Sequence, residues 1–218
     1  QGYRVEIEPF PQGEDAAALD QRPVARAVFH ADQSVARDPL FAHVLARRSL
    51  KEPYDVARTV APEVVAALSA AATAGTSFGG SVAPQDIASF RALTREALRI
   101  EIETPRTYQE SVDLFRIGHR EIDANPDGID FTGPLFETLA LFGLFTRETA
   151  LDRSSSAYKA GLDAVYANAD TAMGHVWLVS SANTRRDQIA VGADWLRVNL
   201  AAAGLGLATQ PLSQALQE

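Results

Sequence analysis

The chain contains no cysteine. That excludes disulfides, thiolate metal sites, iron–sulfur clusters and thiol nucleophiles together. It does not fix a compartment, because exported proteins also dispense with cysteine. No run of about 18 apolar residues occurs, so we expect no membrane span. No secretory leader is legible, and both ends read as cuts through a longer protein, which leaves cytoplasmic and exported locations equally open. Positive charge is scarce: 20 Lys and Arg face 28 Asp and Glu, for a net charge of −8. Such a balance argues against nonspecific binding to nucleic acid or an anionic membrane. Aromatics make up 8% of a chain whose 46% apolar content suffices for one good core or two small ones over 218 residues.

The stretch that organises the rest runs from Asp187 to Gln214. Asp187 suits a helix N-terminus, where its carboxylate accepts from free backbone N–H groups. Ile189, Val191, Trp195, Leu196, Val198 and Leu200 cover more than a narrow stripe, which predicts a buried helix. Gly192 and the alanines at 193 and 201–203 permit close approach of another backbone. Gly204 and Gly206 are expected to take positive φ and end the helix, and Pro211 then fixes an extended turn.

Elsewhere, Tyr3, Val5 and Ile7 alternate with Arg4, Glu6 and Glu8, the pattern of a half-buried strand. Residues 12–32 read as a surface connection, with Val24 to His30 a short strand or helical turn. Pro39 to Ala46 reads as a short helix with Leu40, Phe41, Val44 and Leu45 inward. Pro62 starts an Ala-rich helix to about Ala74, which Gly75, Gly79 and Gly80 break. Pro84 starts a longer one that stops before Pro105, with Ile87, Phe90, Leu93, Ala97 and Ile100 on its inner face. Tyr108 to Phe115 marks a short helix for Gly118 to cap. Pro134 to Phe145 is strongly apolar, a core helix or a cover over a ligand. Ala157 to Ala172 reads as helix, and Val176 to Ser181 as a central strand. Several helices around few, irregularly placed strands make an α+β protein.

Five constellations bear on chemistry. Arg47-Arg48-Ser49-x-Lys51 sets two guanidiniums, a hydroxyl and an ammonium within five residues, a donor set for phosphate or a solvated basic helix end. Asp123 to Pro134 imitates a calcium loop in its early oxygens but has Pro134 where a bidentate glutamate belongs. His30, His43, His119 and His175 have no metal-ligand spacing. Asp187, His119 and a serine lack the Gly-x-Ser-x-Gly turn that would make a hydrolase triad recognisable, and Gly204-x-Gly206 follows a helix rather than opening one, so it is no Rossmann fingerprint.

Two patches taken together resemble the nitroreductase superfamily of flavin mononucleotide proteins. One is Arg-Arg-Ser-x-Lys-x-x-Tyr at 47–54. The other is the helix, Gly-Leu-Gly turn and Pro-containing loop from Gly192 to Gln214. The ending from Gly206 to Glu218 and the opening from Gly2 to Phe10 resemble the Acg-type subgroup, in which two nitroreductase-like halves in one chain mimic a homodimer. The resemblance implies a nitroreductase-like α+β fold, a long central helix packed on a small mixed sheet. Residues 1–38 would be strand and linker from a preceding half, and 39–218 the domain itself. The partner would be a second copy or an intrachain half. FMN would be the cofactor, with Arg47, Arg48, Ser49 and Lys51 on phosphate and ribityl oxygens, and Pro211, Leu212, Ser213 and Gln214 along the flavin ring. No side chain would act as a covalent catalyst. The implied reaction is hydride transfer from NAD(P)H through FMN to a nitro or quinone-type acceptor. The rival expectation is a flavin-sequestering protein whose Pro134 to Phe145 segment covers a site that does not turn over. The family's amide pattern after the first helix is replaced here by Gly75-Thr76-Ser77-Phe78-Gly79-Gly80.

Overall fold

A computed structural model describes residues 2–15 and 20–216. The chain divides into two units. Unit 1 comprises Gln1–Ser49, Val60–Ala83 and Gly174–Thr209; unit 2 comprises Leu50–Thr59, Pro84–Met173 and Gln210–Glu218.

Unit 1 begins with strands β1 (Tyr3–Pro9) and β2 (Ala25–Ala31), paired antiparallel from Tyr3↔Ala31 to Pro9↔Ala25. A 3-10 turn follows over Pro39–His43, capped by the Asp38 carboxylate, which accepts from the Leu40 N–H at 2.9 Å. Helix α1 (Pro62–Ser69) leads to strand β3 (Ser77–Ser81). Unit 2 holds most of the helices: α2 (Pro84–Glu103), α3 (Pro105–Asp113), α4 (His119–Ala124), α5 (Pro134–Leu141), α6 (Arg147–Leu151) and α7 (Ser156–Thr171). Its strands β4 (Phe115–Ile117) and β5 (Ile129–Phe131) pair in parallel. The chain then returns to unit 1 for strand β6 (His175–Val179) and helix α8 (Arg185–Gly204).

The protein is therefore a mixed α+β chain. Among the described residues its strands form three separate two-stranded sheets rather than one mixed sheet: β1–β2, β3–β6 and β4–β5. The expected central strand, β6, has β3 as its one neighbour, and Trp177 and Val179 are exposed. Its continuous apolar run reflects one face on the core and another in solvent.

The core of unit 1 is Leu68 of α1 with Val198 and Ala202 of α8, joined by Phe78 of β3 and Val176 of β6. A capping box starts α8: Thr184 accepts from the Asp187 N–H at 3.2 Å, and the Asp187 carboxylate accepts from the Thr184 N–H at 2.9 Å. Two donors orphaned at the helix start are thereby satisfied reciprocally. The fully buried residues begin at Asp194 and continue with Val198, Asn199, Leu200 and Ala202. Ile189 and Leu196 face solvent, so the helix is central at one end only. Gly206 takes φ +72° and ends it, as expected, whereas Gly204 stays helical for a different reason. A Cβ there would stand 2.7 Å from the His43 ring.

Four further expectations fail for physical reasons. The helix at Pro39 is a single tight turn, and Phe41, Val44 and Leu45 are exposed rather than inward. Helix α1 ends near Ser69; Gly75 takes φ +97° in the bend beyond it, and Gly79 and Gly80 belong to strand β3. Gly79 faces Trp177 across the β3–β6 pair, and a Cβ on it would fall 2.3 Å from the indole. A glycine within a strand thus marks a close approach. Gly118 takes φ +80° ahead of α4 instead of closing α3, and Phe115 lies in β4.

In unit 2, α2 buries Ala97, Leu98 and Ile102, while Leu93 of the expected inner face is exposed. Tyr108 of α3 donates its hydroxyl to the Ala150 carbonyl at 3.0 Å and meets Tyr158 of α7 edge to face. Phe115, Phe131, Phe136 and Phe145 form a second cluster, with ring centroids 4.7–6.2 Å apart.

Candidate functional site

The expected flavin residues fall in both units, and each group has its own surroundings. In unit 1, Arg47, Arg48 and Ser49 follow the tight turn at Pro39–His43. Arg48 folds its guanidinium back so that one terminal nitrogen donates to the carbonyls of Leu45, at 2.8 Å, and Arg47, at 2.7 Å. Its second terminal nitrogen and its Nε keep their donors. Arg47 is half-buried and has no carboxylate partner among the described residues. A cation so placed is an attractor for an anion.

Ser49 pairs with Thr209 in a parallel β-bridge. The Thr209 hydroxyl donates to the buried Asn199 side chain at 2.9 Å, which ties this bridge to α8. The basic run and the glycine exit of α8 therefore lie side by side within unit 1, 160 residues apart in sequence. Gly204 contributes, because its missing Cβ lets His43, four residues before Arg47, come against the helix end.

In unit 2, Lys51 is exposed, and its ammonium is already engaged. It donates to the Asp130 carboxylate and carbonyl, both at 2.8 Å, and lies 5.5 Å from the centre of the Phe131 ring. The Lys51 ammonium holds the Asp130 carboxyl below its ordinary range. Asn168 of α7, buried, donates to the carbonyls of Leu50 at 3.0 Å and Glu52 at 2.7 Å. Thr171 accepts from the Tyr54 N–H at 2.9 Å. Burial pushes the Tyr54 phenol up, against smaller opposing effects of the Gln210 backbone and the Asn168 amide, so segment 50–54 runs beside Gln210. Pro211, Leu212 and Ser213 are exposed and Gln214 is half-buried. The side-chain oxygens of Gln210 and Gln214 are both buried with no hydrogen-bond partner among the described residues. Unpaired buried polar atoms are uncommon in folded proteins, and two within five residues mark this loop as short of partners.

The remaining constellations disperse. Asp187 serves the α8 cap in unit 1, while His119, in unit 2, lies 3.2 Å from the Thr132 hydroxyl. In the calcium-like loop, Asp127 pairs with Arg116 at 2.9 Å and Asp130 with Lys51. Arg185 and Arg186 are the first residues of α8 and donate to the carbonyls of Asp15 and Pro9.

Sequence reasoning passed over Asp194. It is fully buried in unit 1 and has no cation against it among the described residues. One carboxylate oxygen accepts from the N–H groups of Thr73 and Ala74, both at 2.6 Å. The other accepts from the Thr76 N–H at 3.2 Å and hydroxyl at 2.6 Å. Burial alone would push this carboxyl up; the donors from Thr76, Ala74 and Thr73 outweigh it and hold it below the ordinary carboxylate range. The one available signal was an acid on the core-facing side of a helix, at i−4 from Val198. No family model, curated protein or solved structure matches the chain.

Proposed function

We propose that the protein binds FMN as a nitroreductase-like oxidoreductase. The observation that carries this reading is the Ser49–Thr209 bridge, which aligns the basic run with the exit of α8 in unit 1. The donor chemistry suits the cofactor: among the described residues Arg47 has no competing carboxylate, and Arg48 keeps donors beyond those it spends on its own backbone. In this reading the two guanidiniums and the Ser49 hydroxyl hold phosphate and ribityl oxygens, the bidentate role to which guanidinium is suited. Lys51, the third cation of the run, lies in unit 2, where Asp130 shares its ammonium. The family resemblance implies that Pro211, Leu212, Ser213 and Gln214 run along the ring; in that unit 2 loop the buried Gln210 and Gln214 oxygens lack partners among the described residues. Bound FMN would supply the two-electron chemistry between NAD(P)H and a nitro or quinone-type acceptor, while the chain orients it and limits access of water.

The rival reading, storage rather than turnover, is favoured by α5 and the residues after it. Leu135, Leu141 and Phe142 are 65, 82 and 71% exposed, an apolar surface of the kind a cover would turn inward. Titration of the purified protein with FMN separates the outcomes. Quenched flavin fluorescence at micromolar concentration, weakened about tenfold by Arg47→Ala or Arg48→Ala, is the expected result. NADPH then bleaches the bound flavin if the protein turns over. Bound flavin reduced by dithionite but not by NADPH or NADH assigns storage. Flavin that stays free at saturating protein removes both readings.

A further inference from the structure

The turn after β2 folds the chain back beside β1. Asp32 donates its N–H to the Gly2 carbonyl at 2.8 Å, and its carboxylate accepts from the Ser34 N–H at 3.0 Å and hydroxyl at 2.6 Å. Val35, Ala36 and Arg37 are thereby brought to Tyr3, and the tight turn capped by Asp38 adds Phe41. Together they line a cleft of about 280 Å³ within unit 1. Its walls are held from behind. Phe29 meets the Tyr3 ring edge to face, with centroids 6.4 Å apart. Asp38 pairs with Arg197 of α8 at 2.6 Å, and Arg197 also donates to the Ala71 carbonyl at 2.9 Å. Arg37 lies over the Phe41 ring, 4.3 Å from its centre.

The charges here do not cancel. Asp38 has both carboxylate oxygens committed, one to Arg197 and one to the Leu40 N–H, and the Arg197 guanidinium holds its carboxyl below the ordinary range. Arg37 has no carboxylate partner among the described residues. Two guanidiniums therefore stand against one carboxylate. The contact with Phe41 uses the charge of Arg37 and leaves its N–H donors unspent. A neutral apolar ligand would not engage those donors, and a simple anion would leave the ring walls in water. We propose that the cleft binds a small aromatic carboxylate, its ring against Tyr3, Val35 and Phe41 and its carboxylate on the Arg37 guanidinium. Tyr3 and Phe41 are each 53% exposed, so a ring seated there removes aromatic surface from water. A planar carboxylate matches the paired donors of a guanidinium, and this is the recognition to which arginine is better suited than lysine. Size sets the upper bound. Pockets for drug-sized molecules hold roughly 300–1,000 Å³, so this cleft takes a single ring and not a fused ring system. It shares no lining residue with 47–54 or 210–214, and the inference stands apart from the flavin reading.

Fluorine NMR on the wild-type chain with 4-fluorobenzoate tests it. The ligand resonance should shift with a dissociation constant of about 1 mM, the strength open to a one-ring ligand. 4-Fluorobenzamide keeps the ring and lacks the charge, and fluoroacetate keeps the charge and lacks the ring. Each should bind about tenfold more weakly or worse. Arg37→Gln should weaken 4-fluorobenzoate about tenfold or more, and Phe41→Leu about threefold. Arg58→Gln removes an exposed cation of unit 2 and should leave the affinity unchanged. Backbone amide shifts on adding 4-fluorobenzoate should centre on Tyr3 and on residues 35–41. A fluorine resonance that does not move up to about 20 mM protein-saturating ligand overturns the proposal. So does equal binding of the benzamide, or affinity for 4-fluorobenzoate unchanged by Arg37→Gln. The assay contains no FMN, so this reading and the flavin reading can each fail without the other.

Discussion

Unit 1 contains two antiparallel two-stranded ribbons, and they are held in different ways. Strands β3 and β6 set Phe78 and Val176 against the core of Leu68 and Val198. Strands β1 and β2 leave nearly every residue on both faces exposed, Ile7 at 65% and Phe29 at 64% among the apolar ones. By alternation β1 is the more regular strand, and by alternation it should have been the better buried. The difference shows that period-two patterning fixes which face is apolar and says nothing about what covers it. The β3–β6 ribbon is covered because α1 and α8 pass over it, and the loop between α1 and β3 is fixed by one buried carboxylate.

That carboxylate gives the largest expected effect. Asp194 fills four acceptor positions with four donors, three from backbone. Asp194→Asn keeps the volume but turns an amide N–H₂ toward groups that donate. We expect a loss of about 3 kcal/mol or more in chemical denaturation, since a buried network missing one acceptor leaves donors unsatisfied. The pH dependence has a definite sign. The folded carboxyl lies below its ordinary value. Its stabilisation is therefore complete above the unfolded pKa of about 3.9 and drains away as pH falls through the lower, folded value. The wild-type advantage over Asp194→Asn should thus be constant from neutral pH to about 5 and narrow below about 4. An advantage that widened on acidification would show that Asp194 is protonated in the folded protein.

The middle effect lies at Gly79. A methyl group there collides with the Trp177 indole at 2.3 Å. Because Trp177 is 42% exposed, its ring can swing outward rather than force the strands apart. Gly79→Ala should cost about 1–2 kcal/mol and shift tryptophan emission, with little change in helix content. A silent emission spectrum would mean that the backbone yields instead of the ring.

This same pair shows how far the sequence could be read. Helices α2, α7 and α8 were legible because their signals are local: Pro84 and Pro105 as borders, Asp86 in a first turn, Asp187 in a cap. Strand β3 was not. Gly79 and Gly80 signal a break within any short window, and their cross-strand neighbours, Trp177 against Gly79 and Val176 against Gly80, lie about a hundred residues on. The inward face of the Pro39–His43 turn was misjudged because a 3-10 turn does not follow the helical period. At the candidate site, residue types were legible and their partners were not. Ser49 beside Thr209, Lys51 on Asp130 and the unpaired oxygens of Gln210 and Gln214 are all long-range outcomes of the fold.

The smallest effect tests the other ribbon. If β1–β2 is held by what its apolar face meets, the ion pairs behind it contribute little on their own. Arg26 and Glu8 are 67 and 53% exposed in their side chains, so solvent screens the pair. Arg26→Ala should therefore change the denaturation free energy of dilute protein by less than about 0.5 kcal/mol. A loss above about 1 kcal/mol would reverse the comparison with which these two ribbons began. The charged face would then be what holds β1 to β2, and the apolar face would be free to stay in water.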